Sequence, residues 1–183
     1  MHHDELQHLR HSLAHLLAAA VMELHPDAKR TIGPAVDDGF YYDFAFASPI
    51  SDEELPKIEA KMRALMPTFT EFARKEVSAD DARSVFADNK YKTELINEFS
   101  KDGQTLSLYT SGSYVDLCRG GHAESLADLD PECFTLTKLA GAYWRGDEKN
   151  DQLTRIYGVA FATKAERDAH LAMIEEAKKR DHK

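Results

Sequence analysis

Two pairs of side chains suited to metal binding or acid–base chemistry stand far apart in the sequence, and the members of each pair are four residues apart. His11 and His15 lie in a stretch with helical spacing, which places both imidazoles on one face about a turn apart. Cys118 and His122 flank two consecutive glycines, which permit a sharp turn that brings thiol and imidazole together. If the pairs converge, the four side chains have the ligand types of a tetrahedral zinc site. Three ligands and an open water position would make that site catalytic.

Each pair taken alone is a weak indication of a site, because exposed helices often carry two histidines. The presence of a second, Cys/His pair strengthens the interpretation. A structural zinc site closed by all four ligands is the main alternative, and a closed site has no position for a reactive water.

Length and composition restrict the class of protein that presents these residues. The 183 residues, 43% hydrophobic and 30% charged, predict a soluble globular protein with one core. No apolar run approaches the roughly 20 residues of a membrane span, and the N-terminus lacks a signal-peptide core, so we expect a cytoplasmic protein without a membrane partner. The net charge of -9 argues against a domain that binds long stretches of nucleic acid backbone, so any RNA contact should be small and local.

The elements that must position the two pairs follow from hydrophobic periodicity and from capping and turn residues. Asp4 is the expected N-cap of a long first helix, and Ser51 with Glu54 and Thr163 with Glu166 form capping boxes. A tight turn that needs a positive φ is expected at Gly39. Helices are predicted at residues 4–24, 51–67, 78–86 and 91–99 and from residue 163 onward, and strands within 31–46 (two) and at 69–77, 106–109, 113–118, 134–144 and 153–161.

These elements predict an α+β domain. Its strands are joined mainly as hairpins, which gives an antiparallel sheet packed with helices. The long N-terminal helix carries the HxxxH pair, and a C-terminal linker helix ends the chain. We predict that residues 1–163 form the domain and that residues 164–183 form the linker helix.

Several motifs in order along nearly the whole chain resemble the editing domain of bacterial threonyl-tRNA synthetases. They are His11-Ser-Leu-Ala-His15, Ile32-Gly-Pro34, Gly39-Phe-Tyr-Tyr-Asp43, Tyr114-Val-Asp-Leu-Cys-Arg-Gly-Gly-His122 and Gly141-Ala-Tyr-Trp-Arg-Gly-Asp147. The HxxxH and CxxxH pairs also occur in alanyl-tRNA editing proteins, but the Gly39 and Gly141 motifs favour the threonyl branch. Gly121 departs from the family pattern, which often has proline there, and the segment from Lys101 to Ser113 matches it less closely.

The resemblance implies hydrolysis of the ester of mischarged seryl-tRNA(Thr), with threonyl-tRNA(Thr) spared. It implies as partners the acceptor end of tRNA(Thr) and, in the same synthetase, catalytic and anticodon-binding domains; the motifs of those domains are absent here, so no aminoacylation is expected. An alanyl-type trans-editing zinc hydrolase and a non-catalytic module that binds a tRNA end or zinc are the alternatives.

The resemblance also assigns residues to the site. It implies catalytic roles for His11, His15, Lys92, Asp116, Cys118 and His122, and substrate binding by Tyr109, Gly33 and Tyr42. In these roles His11, or a water held by it, is the general base, Lys92 orients water or stabilises the oxyanion, and Asp116 recognises the seryl amino group. The family implies that no metal is required, although His11, His15, Cys118 and His122 can bind zinc.

Overall fold

The structure is a computed structural model that describes residues 1–101, 103 and 105–181. It contains five helices and two antiparallel sheets, which confirms the α+β class. Over the described residues, no helix has both the length and the apolar character needed to cross a membrane.

Helix α1, His3–Leu24, is the central element of the main core, and it presents the predicted HxxxH pair. Leu13, Leu16 and Leu17 are completely buried, because the helix packs against both the main sheet and the second helix, α2 (Glu54–Leu65). The predicted N-cap at Asp4 is wrong. The helix begins one residue earlier, and Asp4 lies in its first turn, where its negative charge interacts favourably with the helix dipole.

The main sheet has five strands, and β3 and β8 lie at its centre. β1 and β2 both pair with β3, β3 pairs with β8, and β8 pairs with β7, all antiparallel. The hairpins predicted within residues 31–46 and between residues 134 and 161 are confirmed. The strands are β1 Lys29–Arg30, β2 Ala35–Val36, β3 Gly39–Ala45, β7 Phe134–Tyr143 and β8 Gln152–Ala160.

The second sheet has three antiparallel strands in the order β4-β5-β6 and packs with α3 and α4. Its small core contains Phe86, Ile96 and Leu106. The predicted strand at residues 69–77 is confirmed only from Ala73, and Phe69 instead enters the main core. The elements are β4 Ala73–Val77, α3 Ala79–Val85, α4 Lys90–Lys101, β5 Leu106–Ser111 and β6 Tyr114–Leu117.

Capping predictions have mixed outcomes. The capping box at Ser51 is wrong, because α2, Glu54–Leu65, has Glu53 at its N-cap and no side-chain hydrogen bond there. Ser78, at the start of the helix predicted at residues 78–86, is the N-cap of α3, since its Oγ accepts a hydrogen bond from the backbone amide of Asp81 at 3.0 Å.

The last helix, α5, spans Lys164–Asp181 and has no buried residue. Thr163 Oγ1 accepts the Glu166 amide at 3.2 Å, which is half of the predicted capping box. His182 and Lys183, which belong to the predicted linker helix, lie outside the described residues. The domain boundary at residue 163 stays a prediction.

Gly39 is needed for a reason other than the one the sequence indicates. It does not have a positive φ, so the prediction of such a turn residue is wrong. Instead, β3 and β8 approach so closely there that a Cβ on Gly39 would collide with the carbonyl oxygen of Gly158.

We therefore expect Gly39→Ala to lower the free energy of unfolding by about 2 to 3 kcal/mol, because backbone would have to move. Gly141→Ala is the matched control. Its added Cβ would meet only the flexible end of Gln152, at 2.9 Å from Nε2, so the loss should be below about 1 kcal/mol. Urea denaturation of both variants measures the difference in the free energy of unfolding. Equal losses of stability would contradict the close approach of β3 and β8 as the reason for glycine at position 39.

Candidate active site

The two predicted pairs converge at one point. His11 Nε2 lies 3.0 Å from Cys118 Sγ and 3.3 Å from His15 Nε2, and Cys118 Sγ lies 3.5 Å from His122 Nε2. The four potential ligand atoms all lie within 4.8 Å of one another. We call these residues the His/Cys cluster. The helix α1 supplies two of them, and the loop after β6 supplies the other two.

The loop that carries His122 depends on its two glycines and on a contact with α1. Gly120 and Gly121 have φ values of 112° and 88°, in the left-handed region that favours glycine. Proline, whose φ is fixed at about −65°, cannot adopt the φ of Gly121. The Ala123 amide donates to Ser12 Oγ at 2.9 Å, which ties the loop to α1.

Beside the cluster, the carboxylate of Asp116 is buried and fully hydrogen-bonded. Its Oδ1 accepts from Lys92 Nζ at 2.7 Å and from the Leu117 amide at 2.8 Å. Its Oδ2 accepts from the hydroxyls of Tyr42 at 2.8 Å and Tyr114 at 2.6 Å. A substrate group that bound Asp116 directly would have to displace one of these four donors.

Two cations share this one carboxylate. Arg30 Nη1 lies 3.9 Å from Asp116 Oδ1 and donates to the carbonyl of Val115 at 2.8 Å. Burial alone would raise the pKa of Asp116, but Lys92 and Arg30 outweigh it and hold that pKa well below its usual range. Asp116 is therefore ionised at neutral pH.

Lys92 reaches this network from α4, and a buried amide fixes the start of that helix. Asn89 Oδ1 accepts the backbone amides of Tyr91 and Lys92, each at 3.1 Å, and its Nδ2 donates to the carbonyl of Arg30 at 2.8 Å. Lys92 Nζ also donates to the hydroxyl of Tyr42 at 3.1 Å. Two of its three N–H groups are thus directed at Tyr42 and Asp116.

Burial sets the protonation states of the His/Cys cluster. It lowers the pKa of His15 to about 3, although Asp116 opposes the shift. Burial and the neighbouring imidazoles of His15 and His11 lower the pKa of His122 to about 2, and burial also lowers the pKa of His11. Burial raises the pKa of the Cys118 thiol to about 11. At neutral pH the cluster therefore consists of neutral imidazoles and a thiol.

A cavity of about 280 Å³ opens beside the cluster. Most of the predicted site residues line it, whereas His122 and Tyr109 do not. Tyr109 instead packs its ring 4.5 Å from that of His122, and its hydroxyl lies against Gly120. The predicted residues that line the cavity are His11, His15, Gly33, Tyr42, Lys92, Asp116 and Cys118.

Comparison of the sequence with known proteins finds related synthetases. Residues 106–157 match the family described as the threonyl and alanyl tRNA synthetase second additional domain. That segment of the chain is similar to this synthetase domain. It is 49% identical over 180 residues to the threonine–tRNA ligase of Treponema pallidum (strain Nichols) and 50% identical over 182 residues to those of Burkholderia mallei (strain ATCC 23344) and Burkholderia pseudomallei (strain K96243).

These matches cover 98% of this chain, which spans about three tenths of the length of the relatives, 30% for Treponema and 28% for Burkholderia. The predicted resemblance to threonyl-tRNA synthetases is confirmed. The matched segment runs through β5, β6, the loop of Cys118 and His122, and most of the β7–β8 hairpin.

Tyr114, Arg30 and Phe72 contact Asp116 or His122, but they were not singled out from the sequence as site residues. Tyr114 could have been found, because it lies two residues before Asp116 on the same strand and so on the same face. Arg30 and Phe72 gave no local signal. Phe72 stacks on the ring of His122 at 4.6 Å with an interplanar angle of 4°. This contact and the contact of Arg30 with Asp116 both join segments that are remote in sequence.

The donor set of the His/Cys cluster fits a zinc ion in type and approximate spacing. Ligand atoms around tetrahedral zinc lie about 3.3 to 3.6 Å apart, near the separations in the cluster. The outer contacts fit less completely. His15 Nδ1 lies 3.7 Å from Asp116, but the buried Nδ1 of His122 has no hydrogen-bond partner among the residues that the structure describes, whereas zinc-bound histidines usually have one. If zinc bound, the four residues of the cluster would hold it.

We expect the rings of His15 and His122 to stay neutral between pH 8 and about 4.5, because burial disfavours their charged forms. The unfolded chain binds protons at both positions below about pH 6.5, so stability should decrease as the pH falls below that value, by up to about 1.4 kcal/mol per pH unit for each group. Histidine ring shifts measured by NMR across this range test the expectation. Titration of either ring with a midpoint near 6.5 would contradict it.

Proposed function

We propose that this domain hydrolyses the ester of mischarged seryl-tRNA(Thr) and spares threonyl-tRNA(Thr). The observation that carries the proposal is the cavity beside the His/Cys cluster, where the neutral imidazole of His11 and the buried ammonium of Lys92 face the same space. The sequence identity of 49% and 50% to threonine–tRNA ligases supports tRNA(Thr) as the tRNA and serine as the amino acid of the proposed substrate.

His11 is the general base in this proposal. Its imidazole lines the cavity and, because burial lowers its pKa, it is unprotonated at neutral pH. A neutral imidazole can take a proton from a water that attacks the ester carbonyl and can then return it to the ribose oxygen that leaves. His15, one turn along α1, orients His11 through the 3.3 Å contact between their Nε2 atoms.

Lys92 stabilises the negative charge that develops on the carbonyl oxygen. Its third N–H has no hydrogen-bond acceptor among the described residues, and the side chain lines the cavity. A fixed, buried cation is effective for this purpose because it needs no reorganisation during the reaction.

Cys118 does not act as a nucleophile in this proposal. Burial raises the pKa of its thiol to about 11, so very little thiolate is present at neutral pH. The thiol lies 3.0 Å from His11 Nε2, where it helps to hold the imidazole. Water is therefore the nucleophile that the protonation states favour.

Asp116 positions other groups. Its two oxygens already accept four hydrogen bonds, so recognition of the seryl amino group by Asp116, as the resemblance implies, would require one of them to break. We infer that Asp116 holds Lys92 and the hydroxyl of Tyr42 in place. The ring of Tyr42 packs under Gly33, where a Cβ would collide with it, so that both residues shape the cavity wall.

The need for such a site follows from the energetics of amino acid selection. A pocket built for threonine gains only about 1 to 3 kcal/mol over serine, since one methyl group separates the two. A second site that accepts only the smaller amino acid multiplies the discrimination. The acceptor end of tRNA(Thr) is the proposed partner; the net charge of -9 leaves most tRNA binding to the catalytic and anticodon-binding domains of a cytoplasmic synthetase.

Hydrolysis of seryl-tRNA(Thr) and of threonyl-tRNA(Thr) by the purified chain tests the proposed function. We expect rapid loss of the seryl ester alone, and His11→Ala should slow it by about 10² to 10⁴. Equal hydrolysis of both esters, or a fully active His11→Ala variant, would refute the proposal.

Zinc provides a second test, because all four cluster residues bound to one ion would leave no open position for water and would occupy the His11 base. We expect chelator-treated protein to keep its activity and added Zn²⁺ to reduce it. Activity that is lost on chelation and restored by Zn²⁺ would instead favour the alanyl-type zinc hydrolase. Tight zinc binding with no hydrolysis in either state would favour a structural zinc module.

A further inference from the structure

The helix that carries Lys92 has two functional faces. Lys92, Leu95 and Phe99 line the cavity, and their spacing places them along one side of α4. Glu94 and Glu98 form an adjacent stripe, which faces the turn at the end of β7. Besides the cap at Asn89, contacts on this second stripe hold the helix that carries Lys92.

Trp144 and Arg145, in the single helical turn between β7 and β8, make those contacts. Trp144 Nε1 donates to Glu94 Oε2 at 2.8 Å, and Arg145 Nε donates to Glu94 Oε1 at 2.9 Å. Arg145 Nη2 donates to Glu98 Oε2 at 2.5 Å. The Trp144 ring also packs edge-on against Tyr91 at 5.2 Å, one residue before Lys92. These two residues thus contact α4 at three points along its length, which are Tyr91, Glu94 and Glu98.

The backbone of Arg145 is strained to make this contact. Its φ of 58° and ψ of 21° lie in the left-handed region, and it is the only non-glycine residue with a positive φ in the part of the chain that the structure describes. Such a conformation is disfavoured for a residue with a Cβ and persists where surrounding contacts impose it. The two carboxylates on α4 are those contacts, since they hold the guanidinium from two sides.

We propose that Trp144 and Arg145 are positioning residues that hold α4 so that Lys92 stays aligned on Asp116 and on the cavity. This role explains why the Gly141–Asp147 motif, which has no residue in the cavity lining, belongs to the site. The inference rests on the proposed function for its kinetic consequence. Its structural consequence, a more mobile α4 when the contact is removed, does not depend on any activity.

Single-turnover hydrolysis of seryl-tRNA(Thr) measures the kinetic consequence. Arg145→Ala should lower the rate constant at saturation at least fivefold with less than a twofold change in apparent affinity, and Arg145→Lys should recover part of the loss. In a Lys92→Met/Asp116→Asn background, Arg145→Ala should cause no further loss, because its effect passes through Lys92. Arg180→Ala, which removes another exposed arginine paired with a glutamate, should have wild-type kinetics.

Amide hydrogen exchange measures the structural consequence in the same variants. Arg145→Ala should speed exchange at Leu95 and Ile96 at least tenfold and leave Leu16 and Leu17 of α1 unchanged. Unchanged exchange in α4, or an equal kinetic loss with and without Lys92, would overturn the inference. If wild-type protein hydrolyses neither ester, the proposed function fails, and the exchange result alone decides the positioning role.

Discussion

A buried carboxylate, Asp116, is the group on which the other features of the site depend. It accepts hydrogen bonds from Lys92 on α4, from Tyr42 on the main sheet and from Tyr114 on its own strand, and it pairs with Arg30 on β1. Removing a single partner from such a network leaves an uncompensated buried charge and typically costs about 3 to 5 kcal/mol. The two sheets and α4 are thus held in one arrangement by one side chain.

The same carboxylate separates the charged and neutral parts of the site. Burial lowers the pKa of Lys92, but Asp116 opposes that shift and favours the charged forms of both Lys92 and Arg30. Burial keeps the His/Cys cluster beyond Asp116 neutral. A neutral base and a fixed cation on the same cavity are what ester hydrolysis by water requires. Burial therefore contributes to the proposed chemistry through the pKa values it sets, in addition to stabilising the fold.

Local patterns in the sequence predicted the parts of the site that lie on single elements. The spacing of His11 and His15 and the glycine turn before His122 identified both pairs, and hairpin and helix periodicity identified the fold class. Long-range contacts gave no such signal. Arg30 meets Asp116 only because β1 lies at the sheet edge nearest β6, and Asn89 gave no pattern that indicated its bond to the Arg30 carbonyl. The predicted N-cap at Asp4 and the capping box at Ser51 were wrong, although both helix starts are exposed to solvent.

Single-turnover hydrolysis of seryl-tRNA(Thr) by a Lys92→Met variant tests the proposed division of roles most directly. Because that variant leaves Asp116 without its closest cation, Lys92→Met/Asp116→Asn is measured beside it, and circular dichroism confirms that both are folded. We predict that both lower the rate constant at saturation by about 10² or more while binding of a non-hydrolysable seryl-adenosine analogue changes less than threefold. An unchanged rate, or equal losses of rate and binding in both variants, would contradict the role of Lys92 as the oxyanion-stabilising cation.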